Sequence, residues 1–258
     1  MKNTKIREVY RQPLLVGNWK MNSLKRESYA LTSGIVKYFA GIKENSFEIV
    51  ICPPFPLLSE VKRALIQSKI KLGAQDCHEA DFGAYTGDVS PSLLKNMGCK
   101  YVIVGHSERR IAYKEKNMTI KAKSEGAINA KLNPIICLGE TLGQKESGKT
   151  LNIIRAQLRE SIPSSANSSN TVIAYEPVWA IGSGKVPRPA QIQKVHASIR
   201  AELKILLNEF EAQRTRIIYG GSMNSNNGDE LLQLADVDGG LIGSASLTVK
   251  SFCSIIKN

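Results

Sequence analysis

The sequence predicts an α/β fold built as a (β/α)8 barrel, on three observations. Short apolar runs recur along the chain, longer amphipathic stretches with helical spacing separate them, and eight such units fill 258 residues. Strand-like runs that alternate with helices pair in parallel, because each return to the sheet needs a crossover. Eight units in about 250 residues is the usual size of such a barrel. On the pattern alone a doubly wound sheet is the alternative, and both architectures gather chemistry at the carboxyl ends of the strands.

In order, the strand runs are Leu14–Val16, Phe47–Cys52, Ile70–Ala74, Tyr101–Val104, Pro134–Leu138, Thr171–Tyr175, Ile217–Tyr219 and Leu241–Ile242. Between and after them come stretches around Leu24–Ala40, Leu57–Ser68, Ser92–Asn96, Met118–Asn129, Leu151–Glu160, Gln191–Phe210, Asn227–Ala235 and Leu247–Ile256. These carry Leu, Ile and Ala at helical spacing with Lys and Glu between, so they read as helices. The Ser/Asn-rich segment 161–170 is too brief for a linker and reads as a loop, so residues 1–258 are expected to form one domain. Residues 1–12, with Lys2, Lys5, Arg7 and Arg11, form a basic N-terminal extension.

No stretch has the length of a signal peptide core or a membrane span, which predicts a soluble, cytoplasmic protein with no membrane partner. Five cysteines, an odd number without CxxC spacing, sit in or beside apolar runs and read as reduced, mainly buried thiols, neither disulfides nor a metal site. The net charge of +12 is scattered along the helices without an aromatic-interleaved basic block, so no nucleic-acid partner is predicted. A positive field still favours small anionic substrates, among which phosphate esters are the commonest.

The residues with chemical capacity follow the strand runs. Glu176 stands where the sixth run stops, and the loop from Pro177 to Lys185 behind it is stiff at one end and loosened by Gly182 and Gly184 at the other. A fixed carboxylate beside a mobile cover suits proton abstraction shielded from water. The other reading of that segment is a strand-capping glutamate before a surface turn. Asn18 and Lys20 follow the first run two apart, so that in extended geometry both point the same way and can share an oxyanion. His106 follows the fourth run at a helix start, with Ser107 as the candidate cap and Glu108 in the first turn, a place where added positive charge is disfavoured and a neutral imidazole favoured. Gly220-Gly221-Ser222 and Gly243-Ser244 form turns after the last two runs, where backbone N–H groups free of side chains can cradle a phosphate.

Taken together, VGNWKMN, GAQDCH, GAYTGDVSP, VGHSERR, ICLGET, AYEPVWAIGSGK and YGGS, in that order from Val16 to about Leu247, closely resemble the triosephosphate isomerase family. The resemblance implies a TIM barrel, usually a homodimer. It also implies cofactor-free, metal-free interconversion of dihydroxyacetone phosphate and glyceraldehyde 3-phosphate, a step of glycolysis and gluconeogenesis. By that resemblance Glu176 is the base, neutral His106 the electrophile, and Asn18 and Lys20 substrate contacts. Glu108 pairs with the lysine, and Ser107 touches Glu176 before the lid closes. The loop from Pro177 to Lys185 is the lid. Gly182, Ser222, Gly243 and Ser244 fall where backbone amides hold the phosphate, and the loop from Gln75 to Asp88 enters the partner subunit, with Thr86 reaching towards its site.

Four positions depart from the family pattern. Ser244 replaces a glycine, which would strain the turn if the position needs positive φ. Ser183 replaces a threonine, Pro187 narrows the far hinge of the lid, and Asp88 replaces a glutamate. Two rival functions stand beside the isomerase: the same chemistry on another short ketose phosphate, and a non-catalytic barrel kept as an interaction protein.

Overall fold

The structure, a computed structural model, describes residues 11–40, 47–182 and 186–256. Eight parallel strands close into a barrel in chain order: β1 Leu14–Asn18, β2 Glu48–Cys52, β3 Lys71–Ala74, β4 Tyr101–Val104, β5 Asn133–Leu138, β6 Val172–Tyr175, β7 Arg216–Tyr219 and β8 Gly239–Ile242. The expected barrel is therefore observed, and the open doubly wound alternative is not. The seam is the pairing of β1 with β8, Leu14 opposite Gly239 and Gly17 opposite Ile242. It demands a glycine: Gly239 has φ +139°, and a Cβ there would lie 1.9 Å from the Leu14 carbonyl oxygen.

Alternation along the strands sorts the apolar residues into two cores. Leu14, Val16, Val50, Ile103, Ile135, Cys137, Val172, Ala174, Ile218 and Leu241 fill the barrel interior, while Leu15, Ile51, Val104, Ile136, Ile173 and Ile217 pack outward against the helices. Polar groups seal the interior at its amino end. Arg216 donates to Glu48 Oε2 (2.6 Å) and to the Tyr101 hydroxyl (2.8 Å), which donates to Glu48 Oε1 (2.8 Å). Each of these partly or fully buried polar groups is satisfied by the other two, so this end of the barrel is closed as a floor.

The helices follow the predicted stretches with two differences. The Gln191–Phe210 stretch is broken: one helix runs Pro189–Leu206 and a second Glu209–Arg214, because the Asn208 side chain accepts from Glu211 N–H and caps a new start. A short helix also occupies Leu142–Glu146, too short to show a period in sequence, while the helix start expected after His106 opens the short helix Ser107–Ala112. All five cysteines are buried and unbridged. Among the described residues no helix is long and apolar enough to cross a membrane. Residues 1–10 of the basic N-terminal extension lie outside the described residues, while Arg11 binds Asp238 Oδ1 at 2.5 Å.

Candidate active site

Continuing the inward register of the strands past their ends gives Asn18 above Val16 and Glu176 above Ala174, with Gly139, Gly220 and Gly243 above Cys137, Ile218 and Leu241. Two polar side chains thus share the barrel mouth with three positions that have none. The absence of side chains is a packing requirement. A Cβ at Gly220 would lie 2.7 Å from Glu176 Cγ, and one at Gly139 would lie 1.8 Å from the Glu176 carbonyl oxygen. In sequence Gly139 carries no sign of a role, and Gly220 reads as part of a phosphate turn. Its only local signal was a glycine closing a strand.

Glu176 is 1% exposed, and its backbone N–H donates to Leu138 O at 2.7 Å. Its carboxylate is held at both oxygens: Oε1 lies 2.9 Å from His106 Nε2, and Oε2 accepts from Ser107 N–H at 3.0 Å. Burial pushes its pKa up, but His106, the Ser107 N–H and Lys20 together outweigh burial and hold the carboxyl below its ordinary range. Burial likewise lowers the pKa of His106, and Glu176 overcomes it, so the ring stands above its ordinary value while the two touch.

This corrects the sequence argument, in which the helix start alone was to keep the imidazole neutral. What the helix start fixes is the tautomer. His106, not Ser107, is the cap of helix Ser107–Ala112: its Nδ1 accepts from Glu108 N–H at 3.2 Å, which leaves Nε2 as the donor towards the cleft. Ser107 is the first helical residue and contacts Glu176 through its backbone N–H.

The strand argument for Lys20 also needs correction. β1 ends at Asn18, and Lys20 has φ +53°, a left-handed backbone that costs a non-glycine residue about 1–3 kcal/mol. Three contacts keep it there. Its N–H donates to Asn18 Oδ1 (3.0 Å), its carbonyl accepts from Gln75 Nε2 (2.8 Å), and its Nζ binds Glu108 Oε1 (2.6 Å). Gln75, which the sequence reading took only as the start of a loop, also donates to Cys52 O at 2.9 Å and so ties β2 to this turn.

One cleft of about 520 Å³ collects Asn18, Lys20, His106, Glu176, Gly182, Ser222, Gly243 and Ser244. Ser107 and Glu108 stand behind it, on Glu176 and Lys20. Ser222 Oγ donates to Ala180 O at 3.1 Å and so ties the seventh-strand turn to the loop after Glu176. A Cβ on Gly243 would lie 3.5 Å from Lys20 Cε, which places the ammonium's stem against the eighth-strand turn. Ser244 opens a 3-10 helix, Ser244–Leu247, and is not among the residues with positive φ, so serine there carries none of the strain that a glycine position would imply. Ser183, Gly184 and Lys185 of the expected lid lie outside the described residues.

The closed barrel with its carboxyl-end cleft defines the class of the chain, a (β/α)8-barrel enzyme. Comparisons with known proteins narrow it. A family model described as triosephosphate isomerase matches residues 13–258. The triosephosphate isomerase of Chlorobium phaeobacteroides (strain BS1) is 46% identical over 246 residues, covering 95% of this chain and 98% of that one. That of Prosthecochloris aestuarii is 45% identical over 247 residues, covering 96% and 98%. The crystal structure of triosephosphate isomerase from Bartonella henselae matches with a TM-score of 0.87 at 40% identity, covering 95% of this chain and 97% of that one. The chain belongs to the triosephosphate isomerase family.

Proposed function

We propose that this chain interconverts dihydroxyacetone phosphate and D-glyceraldehyde 3-phosphate through an enediolate, with its own side chains alone moving the protons. The observation that carries the reading is Glu176, a buried yet ionised carboxylate held between His106 and the Ser107 N–H in the cleft that Lys20 enters. Glu176 takes a proton from one of the two adjacent oxygen-bearing carbons and returns it to the other. His106 donates from Nε2 to the oxygen on which charge develops, and Lys20 adds positive charge beside it.

The charge states are set by contact. When the carboxylate leaves the ring for the substrate, the influence that raises the His106 pKa departs, while burial and the Glu108 N–H on Nδ1 remain. Both favour the neutral ring, which gives up its Nε2 proton or a hydrogen bond with no second proton at Nδ1 to discharge. The backbone N–H groups of Gly182, Ser222, Gly243 and Ser244 hold the phosphate, and closure of the segment 177–185 keeps water from the enediolate, which would otherwise lose its phosphate. No cofactor or metal has a part in this reaction.

The working unit in this reading is a cytoplasmic homodimer joined by the loop 75–88. His78 N–H donates to Val89 O at 2.8 Å and closes the base of that loop. Phe82, at its tip, is 82% exposed, and Met21 on the cleft side of β1 is 94% exposed. Apolar side chains this exposed fit a surface that a second copy covers.

Steady-state conversion of glyceraldehyde 3-phosphate by the purified chain tests the function, with a four-carbon ketose phosphate as comparator and Glu176→Asp as the control on the base. The expected result is turnover of the triose in preference to the tetrose, with kcat reduced by roughly 100-fold or more in the variant, since a carboxylate about 1 Å out of place loses that much. A folded wild type inactive on the triose phosphate sinks the proposal.

A further inference from the structure

A second cavity, of about 390 Å³, lies outside the barrel between helices Thr150–Ser161 and Pro189–Leu206, and among the described residues none lines both it and the catalytic cleft. Its wall combines two kinds of chemistry. Among the described residues, three cations, Lys145, Arg155 and Lys194, line it against one carboxylate, Glu140. Lys145 Nζ lies 3.2 Å from the centroid of the Trp179 ring, and Arg155 donates from Nε to Ser198 Oγ at 3.2 Å. The fixed ends of both cations therefore sit at the cavity wall.

Glu140 is the informative member. It is 1% exposed; Oε1 accepts from Trp179 Nε1 (2.9 Å) and the Tyr175 hydroxyl (3.2 Å), and Oε2 is buried with no hydrogen-bond partner. A buried acceptor left without a donor is unfavourable, and a ligand hydroxyl reaching it would relieve that. The cations favour an anion and the carboxylate oxygen lacks a donor, so an occupant that serves both carries both groups. The cavity is within the range of roughly 300–1,000 Å³ typical of small-molecule sites.

We propose that this cavity binds a monophosphate ester of a polyhydroxylated carbon chain, its phosphate on Lys145, Arg155 and Lys194 and one hydroxyl donating to Glu140 Oε2. Trp179 and Pro187, which line the cavity, bracket most of the segment that borders the catalytic cleft through Ile181, Gly182 and Val186. An occupant therefore touches both ends of that segment without entering the cleft.

The chain's two tryptophans give the test a built-in control, because Trp19 lines the catalytic cleft and Trp179 the second cavity. The 258-residue chain, labelled with 15N, has its catalytic cleft filled with 2-phosphoglycolate and is then titrated with glucose 6-phosphate at low salt. The expected result is a saturable shift of the Trp179 indole signal with a Kd of about 1 mM or tighter, while the Trp19 signal stays still. Arg155→Ala/Lys194→Ala, two substitutions on exposed helix faces, should weaken this binding at least about 10-fold, since two charge-assisted contacts are lost. Inorganic phosphate should bind at least 5-fold more weakly than the ester, and sorbitol should produce no shift. A Trp179 signal that does not shift overturns the proposal, as does a shift retained in the double variant. Equal affinity for inorganic phosphate and ester also overturns it, because the hydroxyl contact is then absent.

Discussion

His106 Nε2 stands 2.9 Å from Glu176 Oε1, so the proposed electrophile and the proposed base hold each other. Each sets the other's charge. Glu176 keeps the ring's pKa above its ordinary value, and His106 helps keep the carboxyl below its own. In Glu176→Gln the opposing burial is left in command, and the His106 pKa should fall below the ordinary imidazole value, read by 15N NMR of the ring nitrogens. An unchanged ring pKa in that variant refutes the mutual hold.

The same pair gives stability a pH window. The depressed pKa of Glu176 contributes stability that is present above the unfolded glutamate value and lost as pH falls through the folded one. The raised pKa of His106 contributes stability that is present below the unfolded histidine value and lost as pH rises through the folded one. The Tm difference between wild type and Glu176→Gln should therefore be largest between about pH 4.3 and 6.5, and shrink on either side. A difference that stays flat from pH 4 to 9 contradicts the assignment.

Gly220→Ala should separate catalysis from folding. The added methyl sits 2.7 Å from Glu176 Cγ, so the carboxylate has to shift. We expect a loss of about 10–100-fold in kcat with a stability change of about 1–3 kcal/mol, measured by steady-state kinetics and thermal unfolding. Activity within twofold of wild type would show that the side chain has room the geometry denies.

Gln75→Ala removes both amide donations that fix the Lys20 carbonyl and the end of β2. With its left-handed backbone less restrained, Lys20 should lose its aim, and kcat/KM should fall about 10-fold with at most about 2 kcal/mol of destabilisation. An unaltered kcat/KM would mean that Asn18 and Glu108 suffice to hold Lys20.

Phe82→Asp places a charge at the tip of the loop 75–88. In sedimentation velocity the wild type should run as a dimer and the variant as a monomer. A wild-type monomer at micromolar concentration rules out the homodimer reading.

Ser244→Gly is the counterpart in which little should happen. Because Ser244 does not occupy positive φ, glycine relieves nothing there, and the variant should be no more stable than wild type, with KM within about twofold. A gain of 1 kcal/mol or more in chemical denaturation would reveal strain in the turn.

The strands were legible because runs such as Tyr101–Val104 and Val172–Tyr175 are apolar over their whole length, as strands buried on both faces must be. The positions of Asn18, His106 and Glu176 were legible because each follows such a run. The supports of these residues were not. Gly139 under the Glu176 carbonyl and Gln75 on the Lys20 carbonyl are approaches between residues 37 and 55 positions apart, and no local pattern records an approach distance. The backbone of Lys20 was hidden for a related reason: a left-handed conformation is signalled by glycine, and here three hydrogen-bonding neighbours impose it on a lysine. Even the fixed tautomer of His106 escaped the sequence, since a histidine that caps its own helix looks the same as one that precedes a serine cap.

The seam between β1 and β8 joins the second decade of the sequence to residues 239–242, and it is also what brings Lys20 against Gly243. A ribosome adding about 5–20 residues per second exposes the first strand many seconds before its last neighbour exists. During that interval the nascent chain can hold Asn18 and Lys20 but has no eighth-strand turn to set beside them. The cleft thus comes into being only once residues 239–243 have been made, and a product that stops short of the eighth strand lacks one wall of it.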